Sequence, residues 1–323
     1  MSMPSQPIGA PAPLQAPAQL ISSLKHALYY VRRFKGKYFV VKIGGELVAD
    51  KEALTHIAGD IAILQGMGIR VVLVHGGGPQ VDSVSKKLGL NPKAINGRRV
   101  TDAATLDVVT MVLAGKINTE VVAALKRHQV QAVGLTGLDG NLVEASRMGP
   151  EILRDAKTGK SETVDLGFVA KIRRVQPDLL VSLCDQGFVP VLCSLVADES
   201  GQILNRNADA MASAVASALQ AEKLLILSNV PGVLADKKNP GSLISSLTTL
   251  EAARLVQEGK ADGGMAPKLE ACIESVQNGV GRTHLISGLV PNGLLLETFT
   301  DEGIGTMILH PSDKKTGVEK EFM

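Results

Sequence analysis

Apolar residues in this chain fall into two patterns. Short unbroken runs rich in Val, Ile and Leu alternate with longer stretches in which apolar positions recur every three or four residues. Unbroken runs predict strands covered on both faces, and the 3–4 spacing predicts amphipathic helices. The runs lie at 38–43, 70–74, 132–135, 188–192 and 223–227, with shorter ones at 284–287 and 305–309. Helices are predicted from Gly45 to about Gly66, at 80–88, from Thr101 or Asp102 to about Leu113, at 177–186, 210–221 and 249–258, from the stretch 262–268 to about Gln277, and near 293–299. The segment 95–102 reads as a polar stretch. The segment 142–175 alternates with little helical period and predicts short antiparallel strands, a lid or flap. Residues 197–202 read as a turn between two short strands. Strand and helix thus alternate, which predicts an α/β fold around a mostly parallel sheet.

Ahead of the first strand, Ile21, Leu24, Leu28 and Val31 give a helix over 21–34 one apolar face. That face either packs on its own domain or pairs with a second copy of the chain. Residues 1–19 are rich in Pro, Ala, Gln and Ser and carry no Arg or Lys, so a disordered tail is expected there, without the charged start of a signal or transit peptide.

Glycine collects where strands end. Lys42-Ile43 runs into Gly44-Gly45, and the second strand into His75-Gly76-Gly77-Gly78-Pro79. The strand 223–227 empties into a turn holding Asn229, Val230, Pro231, Gly232, Val233 and Leu234. In open α/β sheets ligands sit at the carboxyl ends of strands, and glycine lets backbone N–H groups reach an anion. Asp262, Gly263 and Gly264 open a helix with Lys268 in its first turn, a second pairing of glycine with lysine. Phosphoryl transfer asks for positioning and charge neutralisation, which two lysines from opposite sides would supply. If the acceptor is a carboxylate, it is already ionised and needs no general base. Asn205, Asn207 and Asp209 stand at another helix start; one of them caps the helix, and three polar side chains exceed what a cap requires. Arg98 and Arg99 adjoin Gly97. One of them is either a carboxylate clamp or a solvated loop residue, and the composition leaves both open.

Charge and composition narrow the field. Thirty-four basic residues against 32 acidic ones leave a net charge of +2, and aromatics are 3% with no Trp, so neither nucleic acid nor a membrane is expected as a partner. No apolar run reads as long enough to span a bilayer. The cysteines Cys184, Cys193 and Cys272 lie in apolar surroundings and read as reduced core residues in a cytoplasmic setting. Walker A, dinucleotide-fold, zinc and nucleophile-elbow motifs are absent.

Lys42-x-Gly-Gly, His75-Gly-Gly-Gly-Pro79, Gly97-x-Arg99-Val-Thr-Asp102, Asn205-x-Asn-Ala-Asp209 and Gly263-Gly-Met-x-x-Lys268, in that order, resemble the amino acid kinase family over about residues 20 to 310. Within it they are most similar to members that phosphorylate N-acetyl-L-glutamate in arginine synthesis. The resemblance implies a three-layer α/β/α sandwich around one mostly parallel sheet. It implies MgATP as phosphoryl donor, with Mg2+ held mainly by phosphate oxygens and no protein metal site. Lys42 and Lys268 would stabilise the transferring group, and Asp209 would hold the lysines. Gly44, Gly45, Gly76, Gly77 and Gly78 would give backbone donors. Arg99, Asn205 and Asn207 would bind acetylglutamate. Asn229 to Leu234 and Asp262 to Gly264 would line the nucleotide. The implied layout is a tail at 1–19, an oligomerisation helix at 20–36, an acetylglutamate-binding and dimerisation lobe at 37–220, and an ATP lobe at 221–323.

The N-terminal helix further resembles that of arginine-inhibited hexamers built as trimers of dimers. Tyr30, Lys223, His284, Gly288 and Glu297 are the implied arginine-site residues. The chain departs from the family pattern at Ile43 and Glu46, and at Ser287 and Leu289. Rival readings are a kinase of another amino-acid carboxylate, an arginine-binding relative of acetyltransferases, and a nucleotide sensor. Intact Lys42, Asp209 and Lys268 argue against the last two.

Overall fold

A computed structural model describes residues 15–315 except 96–97, 155–160, 240 and 262–263. Its central sheet has eight strands, β1 (Tyr38–Ile43), β2 (Arg70–His75), β3 (Ala132–Leu135), β4 (Val189–Cys193), β5 (Lys223–Ser228), β6 (Ser246–Thr248), β7 (Arg282–Ser287) and β8 (Thr306–Leu309), in the order β6-β8-β7-β5-β1-β2-β4-β3. All neighbouring pairs are parallel except β7 with β8. From β1 the chain moves outward through β2 to β4 and β3, then returns to build β5, β7 and β8 on the other side. The crevice at the carboxyl ends of β1, β2 and β5 is therefore the topological switch point of the sheet, where ligands bind in folds of this kind.

Strand pleating sorts the core into two halves. Phe39, Val41 and Ile43 of β1 pack on one face with Ile57, Ile61 and Leu64 from the helix Lys51–Gly66. Val40 faces the other way, toward Met211 and Val215 of the helix Ala208–Ala218 and Leu269 and Cys272 of the helix Met265–Gln277. Side chains alternate along a strand, so Lys42 shares the face of Val40 and meets the starts of those two helices. The predicted three-layer sandwich is thus present.

The flap predicted over 142–175 appears as Val143–Arg147 and Ala170–Val175 in a second, four-stranded sheet with Leu195–Ala197 and Ile203–Asn205, and as a hairpin of Glu151–Arg154 with Ser161–Val164. The stretch read as merely polar at 95–102 is half of another hairpin, Lys93–Ile95 with Arg98–Val100.

Three expectations need correction. The helix capped by Asp102 does not end near Leu113: α-helix Ala103–Thr110 continues through a π-helical segment, Met111–Ile117, into α-helix Asn118–Arg127. By length and composition this helix does reach the dimensions of a membrane span. Val109, Val112, Leu113 and Ile117 bury its apolar side in the core, while Asp107, Lys116 and Glu120 face outward. The first helix runs Gln15–Phe34, so it starts inside the stretch expected to be a tail; residues 1–14 lie outside the described residues. Tyr30 and Phe34 anchor that helix, whereas Ile21, Leu24 and Leu28 are 54%, 57% and 47% exposed and turn the predicted apolar face away from their own domain.

Candidate active site

A cavity of about 370 Å³ opens at the carboxyl ends of the central strands. Lys42, Gly76 to Gly78, Arg99, Asn205, Asp209 and Lys268, distant in sequence, line it together. Asp209, in the first turn of its helix, is the hub. Lys42 Nζ lies 2.7 Å from Asp209 Oδ1, with both side chains 6% exposed. Lys268 Nζ lies 3.9 Å from Asp209 Oδ2 and donates to the Gly264 carbonyl at 3.0 Å. Burial lowers the Lys268 pKa; Asp209 opposes that shift and Lys42 adds to it. One carboxylate thus faces two ammonium groups, and the Glu46 carboxylate also acts on Lys268. At 2.7 Å between two buried side chains, the Lys42–Asp209 contact is a close ion pair.

Arg99 is not a solvated loop residue. It sits on the hairpin strand Arg98–Val100, and its Nη1 meets Asp82 Oδ1 at 2.5 Å while Nη2 donates to the Gly78 carbonyl at 3.1 Å. These contacts aim the guanidinium at the cavity. Asn205 Nδ2 donates to Thr101 Oγ1 at 3.3 Å. Asn207 is the helix cap: its Oδ1 accepts from Asp209 and Ala210 N–H at 2.7 and 3.1 Å. Two further arginines line the cavity, Arg98, the other member of the predicted pair, and Arg206, which had not been singled out. Arg98 pairs with Glu151 at 2.8 Å and Glu270 at 3.9 Å, and Arg206 donates to the Ala170 carbonyl at 3.2 Å. Arg206 lies between the two predicted asparagines, and the pattern that selected its neighbours contained its only signal.

The glycine turns divide by function. Gly44 N–H donates to Leu227 O at 3.2 Å and Gly76 N–H to Ile43 O at 2.9 Å, extending the parallel ladders past the strand ends. Those two are therefore not free donors, contrary to expectation. Gly45 and Gly78 open short helices, whose first N–H groups have no partner one turn back. Gly77 leaves no room for a side chain: a Cβ there would lie 2.2 Å from Ile117 Cδ1. The three cysteines are buried, and burial pushes each thiol up to about 12, so none is a thiolate nucleophile.

The amino acid kinase family model matches residues 37–287 of this chain. The chain belongs to the amino acid kinase family. It is an enzyme, a kinase. It is 43% identical to the acetylglutamate kinase of Heliobacterium modesticaldum over 286 residues, covering 88% of this chain and 96% of that one. The Symbiobacterium thermophilum acetylglutamate kinase is 44% identical over the same shares. Among solved structures, the fold is similar to N-acetylglutamate synthase from Neisseria gonorrhoeae complexed with coenzyme A and N-acetyl-glutamate (TM-score 0.75, 28% identity, 90% of this chain). The match spans 63% of that synthase chain. The same synthase complexed with coenzyme A and L-arginine gives a TM-score of 0.74 at 25% identity, over 92% of this chain and 69% of the synthase.

In this family member the turn Asn229 to Leu234 follows β5, and Val233 N–H donates to Thr306 Oγ1 at 2.8 Å. Asp262 and Gly263 lie outside the described residues; Gly264 borders the cavity. A second cavity of about 370 Å³ opens at the other end of β5, and Tyr30, Lys223, His284 and Glu297 line it. Lys223 Nζ lies 3.2 Å from His284 Nε2, and His284 Nδ1 lies 2.6 Å from Glu297 Oε1. Burial lowers Lys223 to about 8 and His284 to about 4. Burial alone would raise Glu297, but its hydrogen bond and charge contact with His284 and the Ile304 N–H outweigh that and lower it. Gly288 is not there. A Cβ on it would meet Leu47 and Ile57, because the chain after β7 packs down on the first core.

Proposed function

We propose that this kinase transfers the γ-phosphoryl group of ATP to the side-chain carboxylate of N-acetyl-L-glutamate, giving N-acetyl-L-glutamyl 5-phosphate, the second step of arginine biosynthesis. The observation that carries the reading is the Lys42–Asp209–Lys268 cluster at the switch point. The acetylglutamate kinases similar over nearly their whole length supply the substrate. The acceptor carboxylate is ionised at neutral pH and attacks without a general base. Lys42 and Lys268 neutralise charge on the moving phosphoryl group from two sides, and Asp209 keeps them apart and aligned. Gly45, Gly77 and Gly78 offer backbone donors. Arg99, steadied by Asp82, receives the substrate's second carboxylate through its planar fork. Asn205, and the part of Asn207 not used in capping, bind the remainder of the substrate.

ATP lies along Asn229 to Leu234 and the segment Asp262 to Gly264. Among the described residues no three His, Cys, Asp or Glu side chains converge as a metal site, and Asp209 is engaged by the lysines. Mg2+ belongs here to the substrate, as MgATP on phosphate oxygens. In this reading 37–220 forms the acetylglutamate and dimer lobe and 221–323 the ATP lobe of a cytoplasmic enzyme. The second cavity is an arginine site that mediates feedback inhibition. The exposed Ile21, Leu24 and Leu28 pair with another dimer to build a hexamer.

The test is acetylglutamate-dependent ADP release with MgATP, titrated with arginine, on wild type and Lys268→Ala. Turnover lost in the variant and inhibited by arginine supports the whole reading. Turnover without inhibition discards the arginine site and points to Ser287 and Leu289. No turnover with acetylglutamate discards that substrate in favour of another amino-acid carboxylate.

A further inference from the structure

The peptide that joins Gly76 to Gly77 is gripped from behind. His75, wholly buried at the end of β2, has Nδ1 3.1 Å from the Gly76 carbonyl and Nε2 3.2 Å from Asn118 Nδ2. Asn118 Nδ2 also lies 2.9 Å from the Val191 carbonyl of β4. A carbonyl only accepts, so the Asn118 atom facing it is the amide nitrogen, with two protons to give. One goes to Val191 and the second to His75 Nε2, which must then carry a lone pair. The imidazole proton is left on Nδ1, where it donates to Gly76 O. Burial lowers His75 to about 4, so the ring stays neutral and this arrangement persists across the neutral range.

Two other features serve Asn118. It follows directly on the π-helical segment Met111–Ile117, whose wider winding shifts the helix phase. Gly134 of β3 makes room for it, since a Cβ there would lie 1.9 Å from Asn118 Oδ1.

In a trans peptide the carbonyl of one residue and the N–H of the next point in opposite directions. Holding the Gly76 carbonyl toward buried His75 therefore turns Gly77 N–H outward, to the cavity that Gly77 lines. Among the described residues Gly77 N–H has no acceptor. We infer that the relay Val191–Asn118–His75–Gly76 fixes this peptide so that Gly77 N–H is preset as a donor to the transferring phosphoryl group. His75 and Asn118 are thus positioning residues. The inference rests on the phosphoryl-transfer reading of the cavity.

The first test is nitrogen NMR of the full chain with labelled histidine. His75 is expected as the Nδ1–H tautomer, untitrated down to pH 5; an Nε2–H tautomer, or titration near neutrality, overturns the relay. The second is kinetic. His75→Leu and Asn118→Leu should lower kcat by about 10–100-fold, with KM for acetylglutamate within about twofold, somewhat less than the loss of a direct oxyanion donor. His75→Asn places an amide N–H near the Nδ1 position and should recover about tenfold of that loss. Equal losses in His75→Leu and His75→Asn, or a loss carried by KM, overturn the inference. Calorimetric binding of MgATP against MgADP needs no acceptor substrate. His75→Leu should lose about tenfold of the preference for ATP, and an unchanged preference overturns the relay. Wild type that shows this preference yet does not phosphorylate acetylglutamate sinks the substrate assignment and leaves the relay standing.

Discussion

Asp209→Asn isolates the hub of the active site. The substitution keeps the shape and removes the charge that faces Lys42 at 2.7 Å and Lys268 at 3.9 Å. At an effective dielectric constant of ~20 these contacts amount to ~6 and ~4 kcal/mol of attraction before desolvation is counted. Removing one partner from a buried pair typically costs ~3–5 kcal/mol net. Here the cost falls on two cations that then repel each other at the cavity floor. With Lys42 unpaired and Lys268 held only by the Gly264 carbonyl, kcat should fall about 10²–10³-fold, the scale for losing a preset electrostatic contact in a transition state.

The pH profile gives a second, signed readout. Lys268 acts as the ammonium ion, so its contribution is present below its pKa and lost above it. Burial already lowers that pKa and Asp209 opposes the shift. Without Asp209 it falls further, and the alkaline limb of kcat must move to lower pH. Steady-state ADP release across pH 6–10 in both proteins measures this. A kcat within threefold of wild type, or an alkaline limb that stays or rises, would refute the assignment of Asp209 as the counter-ion of both lysines.

Three further substitutions probe other links. Arg99→Lys keeps the charge but loses the fork that Asp82 and Gly78 orient, so KM for acetylglutamate should rise about 10–100-fold with kcat changed far less, measured by the same assay. Gly77→Ala places a methyl against Ile117 Cδ1 and Leu113 Cδ2, which should cost about 1–3 kcal/mol by denaturant unfolding; Ile117→Val, which deletes Cδ1, should return part of it. Asp60 accepts from Leu294 N–H, and burial raises its pKa from 3.8 to about 6. Between those values the folded chain holds a proton that the unfolded chain has released, so stability falls as pH rises through that window. Asp60→Asn should remove that dependence, gaining on the order of 1 kcal/mol relative to wild type at pH 7 and nothing at pH 4.

Much of this was legible in the chain. The runs that became β1, β2 and β5 are almost wholly apolar because both faces of the sheet are covered, and Lys42 with the glycines past the strand ends marks the crevice. The flap at 142–175 showed its alternation. What escaped detection depends on contacts between distant segments. The helix starting at Ala103 reads as ending near Leu113, yet π-helical winding and packing carry it to Arg127. The Asp82 partner of Arg99 lies seventeen positions away with no periodic relation to it. Gly44 and Gly76 promised free N–H groups; strand register, which composition does not encode, uses them in the ladders. Gly288 had the right neighbours in sequence, but its chain direction takes it into the core.

Strand β5 runs from the second cavity toward the turn Asn229 to Leu234, the proposed nucleotide site. Lys223 stands at its amino end beside His284, and Ser228 at its carboxyl end leads into Asn229. Five residue steps of ~3.3 Å separate them, so the strand is a rod of ~17 Å. Every residue of it is buried, and β1 and β7 clamp it along both edges. Such a rod neither stretches nor bends without breaking ladder hydrogen bonds. In the proposed reading, a displacement imposed at Lys223 would be carried along this rod to Ser228, as in a piston, and so to the turn proposed to hold the nucleotide.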